Sequence, residues 1–483
     1  MQYQYVVSAH KSSSVVSAVS GPFLSPDEQN LIVGRGNRLQ VFRKTATGHL
    51  DLVGEHAVNG QLQHVRFFQP SDRSTGMLLI VSSKQQFAVV VWDMMLKTMV
   101  TESTGKFIER TGRSSTQTLV AVDPESRVFA ISSYQGIVHL FPMGKRDAAD
   151  QLPFAVQDEH IVGGILVPEY LRNGAAGASS LARGRRGKGR EHMAKSTDIH
   201  GVSALYVDEL KIIDMCFCRD TRGPQLAVLY EDADMTRRVK VYDMVSVRGE
   251  VQLVSQRSCS FAATSMRLVA LPEGAVLVLG HSYLSVYKAD GTSQSLALSS
   301  TDVCDVCWVD LGRSERLLLA DSSGALTLVA FDHAAKGFAA SGPSISRLGS
   351  IPVASAVAYL GDGCVFIGSH CGDSLLVRLL AQSMRVEPAD AQLPGSNVLA
   401  RSNGVAETAT YVQPLESFTN LAPIVDLCVV GQGPGQGQKV AGSIVACSGL
   451  RNTPALRIVR NGVAIANIAG LEAHGILRVW ALT

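Results

Sequence analysis

The residues best placed for chemistry are Cys304 and Cys307, in a C-x-x-C run, and Cys216 with Cys218. That spacing suits zinc or thiol redox work, but zinc needs a second ligand pair nearby in sequence and none exists. On a strand, positions three apart face opposite sides, so the Cys304 and Cys307 sulfurs diverge. Cys216 and Cys218 share a face but have no further ligands beside them. All four are expected to pack as small hydrophobes. The glycine run Gly431–Gln438 (GQGPGQGQ) resembles a phosphate loop but lacks the GK[ST] ending, and no helix follows it. A flexible hairpin loop is the expected reading. The twelve histidines show no HExxH spacing, and no GxSxG elbow is present. His139 alternates with Val138 and Leu140 and is expected to be a hydrogen-bonded sheet residue. No nucleophile, base and orienting group can be assembled, so the chain does not read as an enzyme, and no cofactor or metal is expected.

The elements that carry these residues are more informative. A short apolar strand, a tight polar turn and a second strand recur, beginning at Ile32, Ile80, Ala130, Ala227, Leu277, Leu318, Phe366 and Val445. Successive starts are separated by 48, 50, 97, 50, 41, 48 and 79 residues. A period of roughly 40 to 50 residues with one strand–turn–strand core is the sequence signature of a β-propeller blade. One blade cannot bury both of its faces, so the copies must stack around a channel. An all-β, WD-like, seven-bladed β-propeller is expected, plus the start of a further propeller.

Composition agrees. Hydrophobic residues make up 46% of the chain, divided into runs such as Met77–Val81, Phe87–Trp92, Arg316–Ala320 and Gly363–Ile367. These are far shorter than the roughly 18 residues that span a bilayer, and they read as strands buried on both faces. A water-soluble protein with no membrane partner is expected. MQYQYVVSAHKSSS does not have the layout of a secretory leader. Nine cysteines, an odd number without scaffold spacing, suit a reducing compartment, cytosol or nucleus.

Net charge is +2, but Leu171–Lys195 carries seven basic residues against Glu191, leaving the remainder mildly acidic. The core of this basic stretch is Arg183, Arg185, Arg186, Lys188 and Arg190. It reads as a nuclear import signal, a weak contact for nucleic-acid phosphates, or a solvated permissive loop. It lies in the long third interval, so residues 167–200 are expected to form a disordered insertion in an inter-blade loop. The expected organisation is an N-terminal strand over 1–16, the ring over 17–380, a linker over 381–415 and an incomplete next propeller over 416–483. A fragment of a longer multi-propeller protein, or a truncated product, is the expected origin.

Several stretches carry a family resemblance. They are YVVSAHK, NLIVGRGNRLQVF, Glu109–Gly136, DELKIIDMCF, LAVLYEDADMTRRVKVYD, VFIGSHCGDSLLVRL, Glu416–Val430 (ESFTNLAPIVDLCVV) and Leu456–Ile465 (LRIVRNGVAI). In this order they resemble the N-terminal part of the family that unites the large damaged-DNA-binding subunit with the largest cleavage and polyadenylation specificity factor subunit. A large splicing factor 3b subunit belongs to the same group. The FTNL-x-PIVD stretch is closer to the damaged-DNA-binding branch.

The resemblance implies a nuclear, and also cytoplasmic, non-enzymatic adaptor of cullin-4 ubiquitin ligases in DNA repair. Substrate-receptor proteins would be its partners. Cullin docking would need a propeller that this chain lacks, and nucleic-acid contact would be indirect or weak. It also implies a partner-binding cleft at Asp362, His370, Cys371, Pro423, Leu450 and Arg451. Relatives place Arg-Leu at His370-Cys371 and Ala-Phe at Leu450-Arg451. Losing a cation and an aromatic anchor removes about 1 to 3 kcal/mol at a hot spot, so partner choice is expected to differ. These six residues also read as ordinary exposed turn positions. The alternative function is an RNA-processing subunit touching pre-mRNA, which implies salt-sensitive single-strand binding through Arg183–Arg190.

Overall fold

The computed structural model describes residues 10–71, 73–109, 112–143, 155–156, 203–207, 209, 211–247, 250–298, 302–310, 315–331, 343–385, 409–430, 443–450 and 453–459. Among them are seven sheets with an antiparallel four-strand core, the fourth extended by a short parallel strand at Ala155–Val156, and one three-stranded sheet. The two middle strands of each four-stranded sheet are the strand–turn–strand copies. Asn30–Arg35, Met77–Ser82, Val128–Tyr134 and Cys364–Ser369 are buried at every position, as strands covered on both faces must be.

Alternation along these strands fills the spaces between sheets. In the second sheet, Leu78 and Ile80 pack towards the first sheet, while Met77, Leu79 and Val81 pack towards the third. Seven apolar clusters arise in this way, one for each pair of neighbouring sheets, and the last joins the seventh sheet to the first. An open stack of seven sheets would have only six such interfaces, so the ring is closed. The clusters hold aromatic contacts such as Phe87 with Phe141, centroids 4.6 Å apart and tilted by 66°.

The inner strands are Ser17–Gly21, Leu62–Phe68, Ser114–Val122, Lys211–Phe217, Arg267–Ala270, Val303–Asp310 and Ala354–Tyr359. A polar side chain links each to the next element around the ring. Ser17 Oγ donates to Val65 O at 3.2 Å, His64 Nε2 bonds Thr118 O at 2.8 Å, and Gln117 Nε2 donates to Ile213 O at 2.9 Å. Asp214 Oδ2 accepts from Leu268 N–H at 2.8 Å. Arg267 Nη1 reaches Asp305 Oδ1 at 2.9 Å, Asp305 Oδ2 accepts from Val357 N–H at 2.7 Å, and Ser355 Oγ donates to Val15 O at 2.6 Å.

The His64 link carries a pH dependence. Burial, with repulsion from Arg66, pushes its imidazole down to about 4. The unfolded chain therefore takes up a proton that the folded ring refuses. The His64 contribution is complete above about pH 6.5 and fades as pH falls towards 4. Replacing His64 by Gln is expected to flatten the stability-against-pH curve between pH 7 and 4.5 by on the order of 2 kcal/mol. Urea denaturation at a series of pH values measures this.

Four expectations need correction. Residues 10–16 are not a strand. Val15 N–H bonds Ser369 O and Val16 N–H bonds Gly34 O, so this segment bridges the seventh and first sheets. The seventh sheet does not stop at Leu380: its third strand runs Ser374–Arg385, and its outer strand, Ala409–Phe418, crosses from the expected linker into the expected next propeller. The long interval is not a connection between sheets. It separates the third sheet's third strand, Ile137–Pro142, from its outer strand, Ser203–Tyr206, which the two-strand repeat could not reveal. Finally, His139 is not fully hydrogen-bonded: Nδ1 is buried without a partner, close to the rings of Phe107 and Tyr134, and burial lowers its pKa. The insertion 167–200, with Arg183, Arg185, Arg186, Lys188 and Arg190, lies outside the described residues.

Candidate functional site: the junction of the seventh and eighth sheets

The site begins at the turn between the seventh sheet's second and third strands. Ser369 shapes it: its Oγ accepts from Cys371 N–H at 3.2 Å and Gly372 N–H at 3.1 Å while donating to Val353 O at 2.7 Å. Asn420, directly after the outer strand, is buried and serves as the hub. Its Nδ2 donates to Ser369 O at 3.3 Å and Gly372 O at 3.0 Å, and its N–H donates to Asp373 Oδ1 at 2.9 Å. Ser13 Oγ donates to Asn420 Oδ1 and accepts from Leu421 N–H, both at 2.9 Å. One side chain thus ties the turn, the N-terminal segment and the chain leaving the ring.

The eighth sheet, Ile424–Val430, Ser443–Ser448 and Ala455–Val459, docks against this hub. Arg457 Nη2 donates to both Asp373 oxygens at 2.6 Å, a charge-assisted contact between partly buried groups. Gly449 N–H bonds Pro423 O at 3.1 Å, after a cis Ala422–Pro423 peptide, and Leu450 N–H bonds Cys371 O at 2.9 Å. Gly449 has φ +84°, and a Cβ there would sit 2.0 Å from Thr453 O. Gly449→Ala is therefore expected to open this turn, with amide exchange at Leu450 and Thr453 at least ~10-fold faster by mass spectrometry.

His370, Cys371, Pro423 and Leu450 are therefore brought together, with His370 exposed and Leu450 44% exposed. Beside them a hollow of about 470 Å³ is lined by His10, Thr419, Leu421, Leu456, Arg457, Ile458 and Val459. Asp362 does not belong here. It occupies the turn at the other end of Cys364–Ser369, a six-residue strand, so roughly 20 Å of chain separates it from His370. There it pairs with Lys44 at 2.7 Å, which holds its carboxyl below the usual range and joins the seventh sheet to the first. Arg451 lies outside the described residues. The residues that sequence reading missed are Ser13, Asp373, Asn420 and Arg457. The only cue was an Asn between a strand and a Pro, a turn signal.

Among the described residues no three His, Cys, Asp or Glu side chains cluster as a metal site. All nine cysteines are free. Burial drives the Cys216 thiol well up and the Cys218 and Cys307 thiols to about 11 and 12, the opposite of a reactive thiolate.

A closed ring of sheets, joined through a polar hub to the first strands of another sheet, defines a β-propeller with an attached module. The chain belongs to the RSE1/DDB1/CPSF1 first beta-propeller family, whose profile matches residues 14–418, ending with the seventh sheet's outer strand. Over 487 residues it is 28% identical to the DNA damage-binding protein 1 of Oryza sativa subsp. japonica, covering 99% of this chain and 37% of the relative. DNA damage-binding protein 1a of Arabidopsis thaliana is likewise 28% identical over 485 residues, with 99% and 37% covered. DNA damage-binding protein 1 of Drosophila melanogaster is 27% identical over 491 residues, with 100% and 36% covered. The chain thus spans little more than a third of the length of these relatives.

Proposed function

We propose that this chain is a non-enzymatic scaffold, the first propeller of a nuclear adaptor of the DNA damage-binding protein 1 type. Its junction cleft presents receptor proteins to a cullin-4 ubiquitin ligase in DNA repair. The observation that carries this reading is the direct bond from Leu450 N–H to Cys371 O. It fixes a partly exposed leucine beside the His370–Cys371 turn, giving a rigid apolar and polar rim of the kind that takes an amphipathic helix. In this reading the cullin is reached through a further propeller, and any nucleic-acid contact is indirect. The residues after Phe418 serve in this reading as the beginning of that further propeller. The test is retention of the 483-residue chain on an immobilised receptor helix from the same organism. Retention supports the reading, and its absence with an intact ring rejects it.

A further inference from the structure

The eighth sheet repeats, strand for strand, a device that closes the ring elsewhere. In Lys211–Phe217 the pairing register shifts between Ile212 and Asp214, in Val303–Asp310 between Val303 and Asp305, and in Ile424–Val430 between Ile424 and Asp426. Each bulge is followed by the same triplet, Asp214-Met215-Cys216, Asp305-Val306-Cys307 and Asp426-Leu427-Cys428. In the first two the geometry explains the pattern. One carboxylate oxygen accepts a backbone N–H from the next sheet, Leu268 at 2.8 Å or Val357 at 2.7 Å. The cysteine two residues on faces the same neighbour and packs in the apolar cluster shared with it.

In the third copy the device is open. Asp426 Oδ1 accepts from its neighbour Leu427 N–H at 2.8 Å, as Asp214 Oδ1 does from Met215 N–H at 2.9 Å, but Oδ2 makes no hydrogen bond among the described residues. Cys428 is exposed where Cys216 and Cys307 are partly covered. Ile424, Val425, Leu427, Val429 and Val430 are 50 to 67% exposed, whereas every other inner strand has apolar residues buried against neighbours.

Resting on the reading of the residues after Phe418 as the start of another propeller, we propose that Asp426 is the latch of a second ring. Its carboxylate accepts a backbone N–H from the inner strand of a propeller-type sheet, which covers Cys428 and the bare face of Ile424–Val430. The sheet comes from the kind of chain that makes up the other 63% of the rice relative.

Peptide-resolved maleimide labelling tests this in two proteins. One is the 483-residue chain; the other is the rice relative with its matched part replaced by this chain. In the 483-residue chain, Cys428 should label roughly 100-fold faster than Cys216 and Cys307, and Asp305→Asn should speed Cys307 about tenfold while Asp426→Asn leaves Cys428 unchanged. In the chimera, Cys428 should slow by roughly 100-fold, and Asp426→Asn should restore about tenfold of that. A Cys428 that stays fast in the chimera overturns the reading of the residues after Phe418 itself. A protected Cys428 that ignores Asp426→Asn leaves that reading standing and removes the latch. Failure of Asp305→Asn to expose Cys307 removes it without the chimera. Protection of Cys428 that rises with concentration of the 483-residue chain names a second copy as the occupant and also overturns the proposal.

Discussion

Asp305→Ala is expected to destabilise the ring by about 2 to 3 kcal/mol in urea denaturation, since one carboxylate holds three inner strands but Arg267 and Asp305 keep 36% and 24% of their side-chain surface in solvent. It ion-pairs Arg267 of the preceding sheet and accepts Val357 N–H of the following one. Burial works against the Arg267 guanidinium, and the charges of Asp305 and Asp214 more than offset it. Arg66 lies in the same group, its pKa lowered by burial, so removing Asp305 leaves two arginines facing Asp214 alone. Burial in turn raises the pKa of Asp214, which makes it a weaker replacement. The loss exceeds that of an ordinary ion pair because the remaining charge stays desolvated and a backbone N–H is orphaned. Asp362→Ala is the control. Its partner Lys44 is partly buried, but the Asp362 side chain is 87% exposed, so solvent screens the pair and the urea midpoint should stay where it is.

Asp373→Ala should act on a different unit. Asp373 receives both Arg457 contacts and the Asn420 N–H, and its ion pair with Arg457 joins the seventh and eighth sheets. Its removal strips Arg457 of its carboxylate and frees one of the hub's bonds. The eighth sheet buries little: Leu456 and Ile458 are largely exposed, so apolar packing cannot compensate. Exchange at the amides of Ser443–Ser448 and Ala455–Val459 is expected to accelerate by about 100-fold, near 3 kcal/mol of local opening. Amides of the seven four-stranded sheets should be unaffected. A general acceleration instead would mean that the hub supports the ring and not the attached module.

These effects differ in how far the sequence announced them. The middle strands were readable because burial on both faces leaves continuous apolar runs, as at Leu78–Val81 and Val365–Ile367. Outer strands were not. Ser293–Ala297 is exposed throughout and has no periodicity to detect, and Ser203–Tyr206 returns to its sheet only after the long insertion. The family resemblance grouped Asp362 with His370, yet, eight positions apart in sequence, they sit at opposite ends of one strand. Cys304 and Cys307 drew notice as a C-x-x-C run, whereas the informative unit was Asp305 with Cys307. That pattern becomes visible only when Asp214 is seen bonding Leu268, 54 residues onward. Asn420 was part of a recognised stretch, yet its role depends on Ser13, 407 residues away.

The central claim is that the junction cleft, and not the far end of the ring, receives protein partners. Isothermal titration of the 483-residue chain with a helical receptor peptide tests it, comparing Leu450→Asp with Asp362→Ala. Leu450→Asp should weaken binding by roughly 10 to 100-fold, the range for losing a central anchor, and Asp362→Ala should leave it within about twofold. Binding that survives Leu450→Asp, or that is lost with Asp362→Ala while the ring remains folded, would contradict the account.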